Sequence, residues 1–261
     1  MRISQFIGLL LTASVNAVPI TDSDLTARGG VGQVLAPGEM LLIKGDTMEI
    51  VNETALHEYL KAEGIALETP EVDHAWLNFT APENVANAKG SVLPRDCAFT
   101  TAVVVDSTTK FVDWDVQMGP VVVGAGEGIN SFIATGWSVS NSVSGSAGLD
   151  IGFVKDYLKS SFSVNYSKTW TTTTTDQYST LVKTGKAGVW TTQPWTTRKY
   201  GRVLQGCPGS FTQTGTFMAD YHDDGSYANS KWVSGFITAC VKAAPPFGQH
   251  LTRCHGQGNF V

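Results

Sequence analysis

The chain has 261 residues, 42% of them hydrophobic, with 18 Lys and Arg against 23 Asp and Glu for a formal net charge of −5. An acidic chain whose basic cluster is only Arg198-Lys199 with Arg202 does not fit a nucleic-acid partner. No stretch reaches the ~18 consecutive apolar residues of a membrane-spanning helix.

The N-terminus reads as a processing signal. Arg2 is the positive head, Phe6 to Val15 is mostly apolar, and Val15-Asn16-Ala17 fits the small-residue cleavage rule. Removal of residues 1–17 is expected to leave a secreted, extracellular, soluble chain. Three sequons, Asn52-Glu-Thr54, Asn78-Phe-Thr80 and Asn165-Tyr-Ser167, agree with a eukaryotic secretory route and mark Asn52, Asn78 and Asn165 for glycosylation. Cys97, Cys207, Cys240 and Cys254 form an even set without CxxC spacing, so two disulfides are expected rather than a zinc site. Three connectivities satisfy four cysteines. Cys97–Cys207 with Cys240–Cys254 is favoured, because the second bridge closes a loop holding Pro245-Pro246 and Gly248, which has little else to order it.

Charge divides the mature chain. Residues 18–95 hold 12 acidic and 5 basic residues, a net of −7, and residues 96–261 hold 11 and 12, a net of +1. The first part reads as a small α+β leader. After the Gly-containing segment Thr21 to Gly32, a strand is expected around Met40-Leu41-Leu42-Ile43, followed by a turn at Gly45-Asp46. A short helix follows, with Asn52 as its cap, Leu56, Tyr59 and Leu60 on one face, and Gly64 at the stop position. Glu68 to Arg95 shows no pattern. An acidic stretch with so few large apolar groups is marginal as an independent domain. It reads either as a propeptide, with Pro94-Arg95 as the cleavage point, or as a lobe packed on the following sheet.

The 96–261 part reads as a Cys-bounded, Ser/Thr-rich β domain. Apolar runs at Ala98 to Val105 and Val121 to Val123 precede two alternating runs. In the first, Ser138, Ser140, Ser142, Ser144 and Ser146 alternate with Trp137, Val139, Asn141, Val143 and Gly145. In the second, Phe162, Val164, Tyr166, Lys168 and Trp170 alternate with Ser161, Ser163, Asn165, Ser167 and Thr169. Period-2 alternation puts each set on one face of a strand. Between the runs, Phe153 to Lys159 is the helical candidate. Further strands are expected at Tyr178 to Thr184, Gly188 to Thr192, Arg202 to Leu204, Phe211 to Tyr221 and Lys231 to Val241, with an irregular tail from Pro245 to Val261. The fold expected is mainly β, an antiparallel β-sandwich or elongated β-ribbon.

The Ser/Thr hairpin, followed by a short strand and Lys183-Thr-Gly-Lys-Ala-Gly188, resembles the insertion region of aerolysin-like β-pore-forming toxins over residues 137–190. That resemblance implies a membrane hairpin with Trp137, Val139, Val143, Phe162, Val164, Tyr166 and Trp170 toward lipid, in a homo-oligomer. Lys168 on the apolar face speaks against it, since a midplane lysine costs about 2–4 kcal/mol. So does Asn165, whose glycan would crowd a narrow lumen. More broadly, the order of signal peptide, acidic leader and Cys-bounded β domain resembles the secreted effector-like proteins of filamentous fungi. This implies a virulence role directed at a host.

Candidate chemistry is sparse. Asp220-Tyr221-His222-Asp223-Asp224-Gly225 is the densest polar cluster, and Asp220, His222 and Asp224 would be the general acid/base set of a secreted hydrolase. As a calcium loop it fails, because Lys231 stands where the bidentate glutamate belongs. Asp224-Gly225 is also a hairpin turn signal between two expected strands. Asp113 and Asp115 would stand about 7 Å apart on one strand face. Trp170, Trp190, Trp195 and Trp232 would form either a sugar-stacking surface or core. His57, His74, His250 and His255 show no ligand spacing, and there is no Gly-x-Ser-x-Gly elbow. No metal or cofactor is expected. The function expected is non-catalytic binding of a host surface protein or cell-wall glycan. The alternatives are the pore-forming protein, which would engage a membrane, and the hydrolase.

Overall fold

The computed structural model describes residues 33–82, 100–227 and 229–261; the signal sequence, Thr21 to Gly32, Pro94-Arg95 and Cys97 lie outside them. The first part of the chain supplies β1 (Gln33–Val34), β2 (Glu39–Lys44), β3 (Thr47–Asn52), α1 (Glu53–Ala62) and the single turn α2 (His74–Leu77). Next come β4 (Thr100–Val112), β5 (Val116–Gln117), β6 (Val122–Val123), β7 (Ile129–Ile133), β8 (Ser138–Ser140) and β9 (Ser142–Gly145). The helix α3 (Ile151–Phe162) precedes β10 (Thr169–Thr171), β11 (Thr175–Val182) and the 22-residue β12 (Lys186–Cys207). The chain then continues through β13 (Ser210–His222), β14 (Asp224–Tyr227), β15 (Ser230–Val233) and β16 (Gly235–Ala243).

β12 is the spine of a nine-stranded sheet ordered β3-β2-β16-β12-β13-β9. One edge of β12 pairs with β16 over its first half and β13 over its second; the other edge pairs with β6, β5 and β4. The sequence suggested two separate strands here, Gly188 to Thr192 and Arg202 to Leu204, and Pro194 lies between them. Proline lacks an N–H and is tolerated where no ladder bond is needed. Pro194 sits between the stretch facing β5 (Thr191, Thr192) and the stretch facing β4 (from Trp195), and its carbonyl still accepts from Asp113 N at 3.0 Å. A second layer, β1-β11-β7, covers one face of this sheet. Trp190, Ile237, Leu41 and Ile43 from the large sheet meet Ile133 and Tyr178 from the small one. The protein is thus mainly β, with antiparallel sheets in a sandwich-like arrangement.

The apolar run of β2 is buried on both sides, which a strand requires when both faces are covered. Leu41 and Ile43 face the inter-sheet core, while Met40 and Leu42 meet Leu56 and Leu60 of α1. Asn52 Oδ1 accepts from Ala55 N at 2.9 Å and caps α1 as expected. β2 pairs with β16, so part of the acidic N-terminal stretch is built into the main sheet.

The alternating runs are only partly strands. Ser138, Ser140, Ser142 and Ser144 are exposed and Val139 is buried, as the alternation requires. The expected long ribbon is instead a two-stranded sheet in which β8 and β10 share three register pairs. Residues 163–168 form a turn region, and α3 extends the helix expected at Phe153 to Lys159 to twelve residues, capped by Asp150. Helix spacing wins there because Val154 and Leu158, four apart, both reach a buried core with Val203 and Phe217. The Asp224-Gly225 turn is also displaced. Those residues begin β14, and the reversal lies next to Asn229, whose φ is +61°. Gly225 is required for a different reason: a Cβ there would stand 2.7 Å from Ile43 Cγ2 and 2.8 Å from Ser234 N.

Candidate functional site

A groove of about 520 Å³ opens where β2 leaves β16. That volume falls in the range of small-ligand sites, about 300–1,000 Å³. β2 pairs with β16 only at Gly235, Phe236 and Ile237, although β16 runs on to Ala243. The cause is the turn at Pro37-Gly38. Pro37 presets its own φ, and Gly38 takes φ +86°, the combination of a type II turn. Glu39 N donates to Ala36 O at 3.0 Å across it. The chain therefore crosses from the small sheet, where Leu35 N donates to Ser179 O, into the large one. Among the described residues, no strand pairs with the β2 side of β16 beyond Ile237.

Ladder parity shows which backbone groups this leaves open. Ala244 N donates to Gly185 O and Trp195 N donates to Ser234 O, so the even-numbered residues of β16 turn toward β12. In an antiparallel ladder the alternate residues turn the other way. Ala239 and Val241 therefore aim N–H and C=O away from β12, and both line the groove. Leu35 and Leu181 add apolar surface, and Thr180, Thr184 and Thr238 add hydroxyls. Two cations, Lys183 and Lys186, flank it, and neither belongs to an ion pair found among the described residues. Their hairpin is held by Lys186 N donating to Lys183 O and by Thr184 Oγ1 donating to Gly126 O at 2.7 Å. Glu39, the groove's carboxylate, accepts from Ala36 N at 2.8 Å.

The polar cluster singled out in the sequence does not converge on a shared site. Asp220 forms a two-pronged pair with Arg198, at 2.8 Å from both Nε and Nη2, which raises the guanidinium pKa against the effect of its burial. Asp224 accepts from Lys168 Nζ and from Trp170 Nε1, and these bonds hold its carboxyl below the usual carboxylate range although its own burial pushes it up. His222 Nε2 lies 3.0 Å from Thr196 Oγ1, and its Nδ1 lies 3.0 Å from Asn141 Oδ1. This has the form of a nucleophile, base and orienter, but Thr196 is 0% exposed and substrate has no approach to it. Burial pushes the His222 pKa down, against the nearby charges of Asp113, Asp220 and Asp223.

Asp113 and Asp115 do not form a carboxylate pair across a cleft. Asp115 is fully buried and accepts from Gln193 Nε2, Cys254 N and His255 N, each at 2.7 Å. It also lies within 4.8 Å of both Cys240 and Cys254, but those sulfurs form a disulfide and cannot ligate a metal as thiolates. The Cys240–Cys254 bridge is as expected, and Cys207 is likewise oxidised. Trp170, Trp190, Trp195 and Trp232 are all at most 4% exposed, so they are core and not a sugar-stacking surface. Asn52, Asn78 and Asn165 are exposed. Of the lipid-facing candidates, Val139, Tyr166 and Trp170 are buried, Trp137, Val143 and Val164 are half-buried, and Phe162 is exposed.

The fold and the groove define a sandwich-like antiparallel β protein in which, among the described residues, a free strand edge lies beside two lysines without an ion pair. No family model matches the chain, and no curated protein or solved structure matches it. Sequence reading missed the groove because its walls come from segments around residues 37, 183 and 240, and no local pattern links them. The only local signal was the Lys183-Thr-Gly-Lys186 turn.

Proposed function

We propose that this is a secreted, effector-like, non-catalytic binding protein that acts outside the cell on a host surface molecule, with the groove at β16 as its ligand seat. The observation that carries this reading is the contrast between two sets of polar groups. The acid/base candidates are buried or bonded to structural partners, whereas Lys183, Lys186 and the β16 edge stand open around a cavity of ligand size. Concave, partly apolar sites with a few convergent polar groups are where proteins bind ligands.

The test is retention of the labelled protein on cell-wall polysaccharides and on a host surface-protein fraction. Leu181 and Val241 are 42% and 38% exposed, so Leu181→Glu with Val241→Glu charges the groove without burying a carboxylate. Retention by at least one fraction is expected, weakened roughly tenfold or more by the double variant, since about 1.4 kcal/mol separates each decade of affinity. Retention indifferent to the double variant would remove the groove from the reading. A hydrolytic activity lost on His222→Ala would overturn the non-catalytic part.

A second reading keeps the pore-forming hairpin. It is favoured by β8 and β10 forming a small sheet of their own, with the hydroxyl face exposed. It requires release of Val139 and Trp170 from one core and Tyr166 from another, and rupture of the bonds from Lys168 and Trp170 to Asp224.

A further inference from the structure

Resting on the groove as ligand seat, we infer that its ligand is an extended polypeptide segment bearing carboxylates, which adds as a strand to the free edge of β16. The first argument is the ladder. Ala239 and Val241 aim N–H and C=O groups outward in the direction where β2 pairs with Ile237. Groups two residues apart recur at ~7 Å, the repeat of another strand and not of a sugar ring or a lipid headgroup. Strand addition takes affinity from main-chain hydrogen bonds and selectivity from pockets for alternate side chains. Leu35, Leu181 and Val241 provide the apolar part of such pockets.

The second argument is charge. Lys183 and Lys186 line the groove from the hairpin between β11 and β12, and the one carboxylate among its described lining residues, Glu39, is turned onto the Ala36 amide. An acidic segment complements two cations that have no ion pair among the described residues. Proteins often protect an edge by placing charge on the edge strand itself, but here the groove-lining edge residues are the uncharged Ala239 and Val241. The third argument excludes the glycan. Trp170, Trp190, Trp195 and Trp232 are buried in the cores, and among the described residues no aromatic side chain lines the groove on which a pyranose could stack.

The test is fluorescence anisotropy on the full chain with a fluorescein-labelled hexapeptide pool, with Asp fixed at the third and fifth positions and the other positions randomised. Three comparisons accompany it: the same pool N-methylated at alternate amides, a pool with Lys in place of Asp, and chitohexaose as competitor. The acidic pool is expected to bind, and each altered pool to bind roughly tenfold or more weakly. Lys183→Glu with Lys186→Glu, both exposed positions, should reverse the preference toward the Lys pool. Equal binding of the N-methylated pool would overturn strand addition, and an unchanged preference in the Glu variant would overturn the charge assignment. If no pool binds while surface retention still depends on Leu181 and Val241, the groove serves another ligand class and the polypeptide inference alone falls. If that retention is absent as well, the binding reading falls with it. Displacement of the bound acidic pool by chitohexaose would transfer the site to glycans.

Discussion

His222 illustrates how a residue with catalytic promise becomes a structural one. Its backbone N–H and its Nδ1 both meet Asn141 Oδ1, at 2.8 and 3.0 Å, so Nδ1 carries the proton. Asn141 Nδ2 in turn donates to Asn165 O, which ties the β8–β9 junction to the turn before β10. Burial lowers the imidazole pKa, so the folded state refuses a proton that the unfolded chain accepts at its ordinary value of 6.5. The unfolded state then binds more protons, and stability rises with pH through that window. The melting temperature is expected to hold steady above about pH 6.5 and to fall as the pH drops below it, with His222→Gln flattening that part of the profile. An unchanged slope in the variant would assign the acid sensitivity to other groups. The cluster around His222 was legible in the sequence as a concentration of polar groups. Their partners Arg198, Asn141, Thr196 and Lys168 were not, because they arrive from β12, the β8–β9 junction and the turn before β10, all distant in sequence.

At the scale of elements, local chemistry wrote some structures plainly. α1 has its cap at Asn52, its Leu56 and Leu60 stripe and its Gly64 stop, so it was readable without tertiary information. The strand β2 and the turn at Gly45-Asp46 were readable for the same reason, whereas β3 was not expected. The second alternating run was misleading: a period of two describes exposure there, but α3 and the turn at residues 163–168 take most of its length. The C-terminal tail was expected to depend on its disulfide, and Asp115 holds it as well. Cys240–Cys254 closes a loop across a separation of 14 residues, while Asp115 receives two backbone N–H groups of the tail and Gln117 receives Val261 N. Removing the Asp115 carboxylate leaves buried donors unpaired, at about 1–3 kcal/mol each. Asp115→Ala is therefore expected to cost about 3 kcal/mol or more in urea unfolding, and to make the tail the first site of limited proteolysis. A loss below about 1 kcal/mol would mean that water reaches these donors.

Across the whole molecule, the charge break at 95/96 and the sheet follow different logic. Hydrogen bonds run from β2 into β16 across that break, because strand pairing follows apolar pattern and register and is indifferent to net charge. The division into an acidic and a neutral part was legible in the sequence; the shared sheet was not. Leader and ribbon are also the parts that the pore-forming reading must mobilise. Vesicles loaded with dye are expected to stay intact with the full chain, both unaltered and as Asp224→Asn, which weakens the bonds from Lys168 and Trp170. Leakage abolished by Val139→Asp or Val164→Asp would instead place residues 137–175 in the bilayer.

The junction of β2 with the last long strand has a consequence for biosynthesis. Gly45 N donates to Ser234 Oγ at 3.2 Å, a contact spanning 189 residues. At about 5–20 residues per second, a ribosome takes roughly 10–40 s to cover that distance. Throughout that interval Met40-Leu41-Leu42-Ile43 waits without β16, one face covered at best by its own hairpin and α1. One of the earliest strands to emerge is thus among the last to find its place. The nascent chain carries a sticky apolar strand through most of its own translation, and that strand must be kept from pairing elsewhere until β16 is made.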